Sequence, residues 1–313
     1  MWVQLKAPKN IEINGRSKNH LAGEVVNVGK QMALRWIEAD EAIHVYCYSP
    51  LAPGPSQPRF KADWKIPGEM MTLFTIPREF ASKAPYVLAQ RNAISSWAHL
   101  SPRPEIILCC DDAGVMETAK EFECNYIPGI GRSHHRVPYL SSAFRLVAEE
   151  ARHNILCYAN SDIVFTDTLV EAARIVSVQF NEFMMVGRRR PVELSMALGF
   201  GPDWQGELAR LCGPFDDASA MDYFIFTKSV LGKIGMLNFM VGSPAWDNWF
   251  LAQAIAQGIP TIDASNDVLC AHRSHERKWP RYGIDHNRGL AKGVSAIITD
   301  TKYVLRGGEV KER

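Results

Sequence analysis

A carboxylate at position 162 is the first residue of this chain whose setting points to chemistry. It ends a short polar break inside Tyr158-Ala159-Asn160-Ser161-Asp162-Ile163-Val164-Phe165, with apolar residues on either side. Such a break places Asp162 at the edge of a sheet, where its oxygens can face a ligand. A hard cation such as Mg2+ or Mn2+ prefers oxygen ligands, and needs few protein carboxylates when substrate phosphates supply the rest. Asn, Ser and Asp also favour turns, so a plain turn is the competing reading of this segment.

Two further carboxylates lie among aromatic residues, in Asp222-Tyr223-Phe224-Ile225-Phe226 and in Trp246-Asp247-Asn248-Trp249-Phe250. Isolated charges are seldom buried without a purpose, and a desolvated carboxylate has a raised pKa suited to proton transfer. Rings such as Trp246 beside carboxylates also suit sugars, whose CH faces stack while their hydroxyls need acceptors. Asp222 is therefore assigned to sugar or acceptor hydroxyls. Asp247 precedes a helix, and capping that helix is its plainer role. Asp111 and Asp112 close another apolar run, where a carboxylate accepts hydrogen bonds from a ribose or a base, or caps the next helix.

The cations are placed as suggestively. Gly187-Arg188-Arg189-Arg190 follows a buried run, so at least one of these arginines should point into the site and neutralise phosphate. Arg91 carries the fixed guanidinium fork that suits a diphosphate, although a surface salt bridge explains it equally well. His272 and His275 close the last apolar run, and alternation sends them to opposite faces. His134-His135 reads as an exposed loop.

These tips need strands to hold them. Met71–Ile76, Glu105–Cys110, Ile155–Ala159 and Phe183–Gly187 read as buried strands. Leu88–Leu100, Gly114–Phe122, Tyr139–Ala151, Thr168–Val178 and Asn248–Gln257 read as helices. Alternation of helices with continuously apolar strands predicts a mostly parallel sheet covered on both faces, with ligands bound beyond the carboxyl ends of its strands. The domain is expected over residues 70–300, followed by a tail at 301–313. Before it, residues 1–48 read as a small β-rich module containing one helix over Lys30–Ala39. Four prolines and a glycine between Ser49 and Pro58 mark residues 49–69 as a linker.

Bulk properties exclude more than they select. A net charge of +1 argues against a nucleic-acid-binding surface, and no apolar run approaches a membrane span. Met1-Trp2-Val3-Gln4-Leu5-Lys6 lacks the pattern of a secretory signal, so a cytoplasmic protein is expected. The seven cysteines form no C-x-x-C pair and read as reduced, structural thiols.

In order along the chain, Phe74-Thr75-Ile76-Pro77, Gln90-Arg91-Asn92, Asp111-Asp112, Asn160-Ser161-Asp162, Val186-Gly187-Arg188-Arg189, Asp222-Tyr223-Phe224, Trp246-Asp247-Asn248 and His272-Arg273-Ser274-His275 resemble a glycosyltransferase of the GT-A fold, in the nucleotide-diphospho-sugar transferase superfamily. The resemblance covers about two thirds of the chain. It implies an α/β, Rossmann-like domain, a nucleotide-sugar donor, a hydroxyl acceptor and a divalent metal, Mn2+ or Mg2+. It places Thr75 and Pro77 at the nucleobase and ribose, and Asn160-Ser161-Asp162 at the Asp-x-Asp metal motif. Asn160 departs from that motif and leaves Asp162 as its charged ligand. The resemblance also gives Asp247 the role of catalytic base in an inverting enzyme, and a late histidine the completion of the metal shell. Gly242-Ser243-Pro244 becomes a mobile acceptor loop. A nucleotidyltransferase would share the acidic site but opens with a glycine-rich loop, where this chain has Ile76-Pro77-Arg78-Glu79. A non-catalytic protein on a degenerate transferase scaffold is the third possibility.

Overall fold

The computed structural model describes residues 71–82, 85–273 and 280–313, together with five short strands near the N-terminus. The chain divides into two compact units, one of residues 1–58 with 131–137 and one of residues 59–130 with 138–313.

In the first unit, β1 (Trp2–Leu5) pairs antiparallel with both β4 (Val25–Asn27) and β5 (Ala42–His44), while β2 (Lys9–Ile13) and β3 (Arg16–His20) form a hairpin. The helix expected over Lys30–Ala39 and the proline-rich linker lie outside the described residues. His134 and His135 are exposed in a tight turn closed by the Ser133 N–H on the Val137 carbonyl, at 2.9 Å.

The second unit is α/β. Its first half runs β6 (Met71–Thr75), α1 (Pro85–Ala98), β7 (Glu105–Cys109), α2 (Val115–Glu121), β8 (Asn125–Ile127), α3 (Leu140–Glu150), β9 (Ile155–Ala159), β10 (Ile163–Phe165) and α4 (Thr168–Gln179). The second half runs β11 (Met184–Arg188), β12 (Arg190–Val192), α5 (Trp204–Leu211), β13 (Met221–Thr227), α6 (Lys228–Ile234), α7 (Trp246–Ala256), β14 (Thr261–Asp263), β15 (Cys270–Arg273), α8 (Arg281–Ala291), β16 (Tyr303–Arg306) and β17 (Glu309–Glu312).

Nine of these strands form one sheet in the order β17-β16-β14-β11-β13-β9-β6-β7-β8. Seven share one direction, and β13 and β17 run against them. Strands β6, β7 and β13 are buried at every position, so both faces of the sheet are covered, as their apolar composition requires. The reversed direction of β13 has a functional consequence. Its amino end, with Asp222, lies at the same edge as the carboxyl ends of β6, β9 and β11. Phe74, Phe144, Tyr158, Phe226 and Phe250 interlock on the sheet, with Phe74 and Phe144 edge to face at 5.0 Å.

A second, three-stranded sheet of order β10-β15-β12 stands at the site edge. The chain passes from the large sheet to the small one between β11 and β12, through a register irregularity at Val186–Arg188. Gly187 is required there: a Cβ on it would sit 2.1 Å from the Tyr223 hydroxyl, which is buried and without a hydrogen-bond partner.

The C-terminal residues correct one expectation. Residues 303–312 are no tail but a hairpin that extends the sheet, with β16 parallel to β14 and β17 antiparallel to β16. Gly307 and Gly308, at φ of 61° and 76°, make its turn, and their N–H groups donate to the Asp267 carboxylate at 2.9 and 2.7 Å.

Gly187→Ala is expected to destabilise the unit by roughly 1–3 kcal/mol through overpacking against Tyr223. Tyr223→Phe, which removes an unsatisfied buried hydroxyl, should stand near wild-type stability and relieve part of that loss in the double variant. Urea unfolding midpoints check both, and an undiminished midpoint for Gly187→Ala would contradict the close approach.

Candidate functional site

The site is built from the turn that follows β9. The Asn160 N–H donates to the Asp222 carbonyl at 2.9 Å, continuing the β9–β13 ladder by one residue. The Ile163 N–H then returns to the Asn160 carbonyl at 3.2 Å, which closes a tight turn with Ser161 and Asp162 at its tip. The segment is thus a turn, and the turn is what presents Asp162. Beyond it β10 pairs with β15 so that Ile163 lies opposite His272. That register brings His272 Nε2 to 3.3 Å from Asp162 Oδ2, with the histidine buried and the carboxylate 23% exposed. His275 lies outside the described residues.

The next layer is an ion network. Arg189, buried between the two sheets, donates through Nε to Asp216 Oδ2 at 2.7 Å and through Nη1 to Asp222 Oδ2. The other oxygen of Asp222 accepts from Asn160 Nδ2 at 2.8 Å. Burial works to raise the Asp216 carboxyl, but hydrogen bonding and charge from Arg189 hold it below its ordinary value. The three consecutive arginines therefore divide their duties. Arg189 is committed to two carboxylates, and Arg190 donates to the Gly213 and Cys212 carbonyls at 2.7 and 3.0 Å. Arg188 has no carboxylate within ion-pair distance among the described residues; its guanidinium lies 4.6 Å over the Phe215 ring. Of the arginines read as phosphate ligands, Arg189 is already satisfied by two carboxylates, and Arg188 lies against Phe215.

Asp247 sits in the first turn of α7. Burial pushes its carboxyl up to about 7, against hydrogen bonds from backbone N–H groups that lower it, and the charge of Asp222 adds to the rise. The Asn248 N–H donates to Asp247 Oδ1 at 2.9 Å, and the helix has no side-chain cap. Ala245 holds the cap position, and the Asp247 carboxylate accepts from a first-turn N–H instead. Ala245, ahead of the helix, holds φ of 83°, a left-handed conformation that non-glycine residues seldom adopt. Trp246 packs edge to face on Tyr158 at 5.2 Å.

Tyr158 reports that these groups converge. Its hydroxyl is raised first by burial and then by the charges of Asp162, Asp222 and Asp247, which lie within electrostatic reach of it. Cys270 on β15 is likewise raised by burial and then by Asp222, with Asp162 contributing and Arg189 opposing.

Other residues read from the sequence fall elsewhere. Thr75 ends β6, beside β9, with its hydroxyl buried and without a hydrogen-bond partner. The Pro77 carbonyl accepts from Cys110 Sγ at 3.3 Å. Arg91 is not brought to the cluster: it pairs with Glu121 and lies 5.3 Å from the Phe122 ring, the surface salt bridge that its chemistry equally allowed. Asp111 and Asp112 close β7 beside Tyr126 of β8, and the helix after them has no side-chain cap. Cys110 precedes them at φ of 102°.

Two positioning residues carried no signal in the sequence. Buried Gln90 accepts from the Arg78 N–H at 2.7 Å and from Ser161 Oγ at 2.9 Å, and donates to the Arg78 carbonyl at 3.3 Å. It ties the loop after β6 to the turn after β9. Buried Asn287 accepts from the Met240 N–H at 2.8 Å and donates to the Met240 and Ser243 carbonyls at 3.1 and 3.0 Å. The segment expected to be a mobile acceptor loop is thus pinned to α8. A helical Gln or Asn looks like a surface residue until the elements facing it are known.

A divalent cation requires oxygen or nitrogen donors that converge on one point. Among the described residues no group of three or more His, Cys, Asp or Glu side chains surrounds one point. The Asp162–His272 pair alone fits: two ligands sharing an octahedral edge at about 2.1 Å lie roughly 3 Å apart, close to the observed 3.3 Å. Two protein ligands suffice for an ion whose remaining positions are filled by phosphate and water.

No family model and no curated protein sequence matches the chain. Among solved structures it is similar to S. aureus TarS, at 11% identity and a TM-score of 0.45, over 66% of this chain and 37% of that one. TarS 1–349 in complex with UDP-GlcNAc gives 12% identity and a TM-score of 0.43, over 66% and 60% of the two chains. M. tuberculosis glucosyl-3-phosphoglycerate synthase in complex with Mn2+, UDP and glucosyl-3-phosphoglycerate gives 11% identity and a TM-score of 0.40, over 72% and 77%. The chain spans less than two thirds of the TarS chains. The likeness is one of outline and assigns no residue. No helix among the described residues is long and apolar enough to cross a membrane.

Because the folded chain holds a proton on Asp247 that the unfolded chain releases at lower pH, this group's contribution to stability declines from the ordinary carboxylate range up to about pH 7. Asp247→Asn cannot titrate, so its melting temperature relative to wild type should rise between pH 4.5 and pH 8. A difference that stays constant with pH would contradict the raised carboxyl.

Proposed function

We propose that the α/β unit is a glycosyltransferase that binds a nucleotide-diphosphate sugar and passes the sugar to an acceptor hydroxyl. One observation carries this reading: a cation-fitting Asp162–His272 pair and a carboxyl poised near neutrality, Asp247, lie around one sheet edge. Asp162 and His272 would hold the divalent ion, and the mixed oxygen and nitrogen donors favour Mn2+ over Mg2+. When bound, that ion supplies positive charge to the diphosphate as the bond to the sugar breaks.

The remaining work falls to the chain's own residues. Arg188, which has neither the carboxylate partners of Arg189 nor the carbonyl partners of Arg190, would share in neutralising the diphosphate. Thr75 offers its unsatisfied hydroxyl to the donor, while Asp111 and Asp112 at the tip of β7 accept from ribose or base. Asp247 takes the proton from the acceptor hydroxyl as its oxygen bonds to the anomeric carbon and the nucleoside diphosphate departs. A base with a pKa near the working pH performs this best. Its presence favours inversion at the anomeric carbon. Trp246, buried against Tyr158 and Phe224, would hold the start of α7 and with it Asp247.

Calorimetry with UDP and with GDP, with and without Mn2+, tests the reading. Mn2+-dependent binding is expected, reduced at least tenfold in Asp162→Ala. Asp247→Asn should keep that affinity while sugar transfer falls by about a hundredfold or more, the usual contribution of a positioned base. Absence of nucleotide binding would favour a non-catalytic scaffold, and pyrophosphate release from a nucleoside triphosphate would favour the nucleotidyltransferase.

A further inference from the structure

Asn160 occupies the position where the resembled family carries the first aspartate of its metal motif, yet every polar atom of this residue is already engaged within the chain. Its N–H donates to the Asp222 carbonyl at 2.9 Å, its carbonyl accepts from the Ile163 N–H at 3.2 Å, its Nδ2 donates to Asp222 Oδ1 at 2.8 Å, and its Oδ1 accepts from the Tyr158 hydroxyl at 3.4 Å. Asp222 is buried, and its second oxygen belongs to Arg189. Both neighbours of this carboxylate are therefore donors, and both its oxygens are spoken for.

We infer that Asn160 is a positioning residue that fixes Asp222 at the sheet edge, and that the site is built for a cation held by a single carboxylate. An aspartate at 160 would set an anion against the Asp222 oxygen across a gap now closed by a 2.8 Å hydrogen bond. Like charges at such distances in a partly dry setting repel strongly, and only one Asp222 oxygen faces Arg189 to compensate. The amide is thus what lets the Asp222 carboxylate keep both its oxygens satisfied at the sheet edge. Position 160 is occupied in holding Asp222 and is no idle ligand position.

The inference rests on the proposed function only in assigning the cation to Asp162; the 160–222 coupling stands apart from it. The test is a double-mutant cycle on the full chain, read by thermal unfolding without metal or nucleotide. Asn160→Asp should lower the melting temperature by about 5 °C or more, on the scale of a few degrees per kcal/mol for a chain of this size. Asp222→Asn should also destabilise, because one amide cannot accept from both Asn160 and Arg189. In the exchanged pair, Asn160→Asp with Asp222→Asn, the amide donates to position 160 and accepts from Arg189. Its loss should be clearly smaller than the sum of the two single losses. Additive losses, or an Asn160→Asp variant as stable as wild type, would overturn the coupling. Titration of Mn2+ in the presence of UDP covers the second half: Asn160→Asp should bind the metal no more tightly than wild type, and a tenfold gain would mean that position 160 is a vacated ligand. If wild type itself binds no Mn2+ with UDP, the proposed function fails while the thermal cycle still decides the coupling.

Discussion

Crowding of negative charge is the constraint around which this sheet edge is organised. Asp162, Asp222 and Asp247 all act on the Tyr158 hydroxyl through their charge, and Asp216 joins Asp222 on Arg189. Left alone, such a group would either take up protons or push apart. Buried Arg189 offsets part of this charge by binding Asp216 and Asp222 together, and its own burial, which works to lower its pKa, is outweighed by those two charges. Removing either partner of such a pair is costly, since it strands a charge away from water. The reversed strand β13, the irregularity at Gly187 and the small sheet β10-β15-β12 all serve this arrangement: the first delivers Asp222 to the edge, the second releases Arg189 from the large sheet, and the third carries His272 to Asp162.

The opposite edge of the sheet gives an instructive contrast. Glu105, at the start of β7, is as buried as any residue of the site. Its oxygens accept from Thr72 Oγ1 at 2.6 Å, Asn125 Nδ2 at 2.7 Å and the Arg152 N–H at 2.8 Å. That carboxylate is saturated and structural. Among the described residues, the buried side-chain atoms without a partner, Thr75 Oγ1, Arg188 Nε and Tyr223 Oη, belong instead to β6, β11 and β13.

Much of this was legible in the sequence, and for identifiable reasons. Strands β6, β7, β9 and β11 are unbroken apolar runs ending in polar residues, so both their existence and the edge that bears chemistry could be read from composition. The aromatic setting of Asp247 marked it as desolvated, and its raised carboxyl follows from that burial. What escaped was pairing in space. Nothing in three successive arginines tells which will meet carboxylates 27 and 33 residues away. The salt bridge that takes Arg91 away from the cluster involves Glu121, thirty residues on. Gln90 and Asn287 look like ordinary helical polar residues until their partners are known. The hairpin at 303–312 was missed because residues 301–313 were read as a tail, and the strand it pairs with, β14, is some forty residues away.

The account depends most on Asp162 and His272 acting together on one cation. Electron spin-echo spectroscopy of the chain loaded with Mn2+ and UDP tests this directly. It should detect coupling to an imidazole nitrogen, and that coupling should vanish in His272→Gln. A Mn2+ signal with no nitrogen coupling in the natural chain, or one indifferent to His272→Gln, would contradict the account.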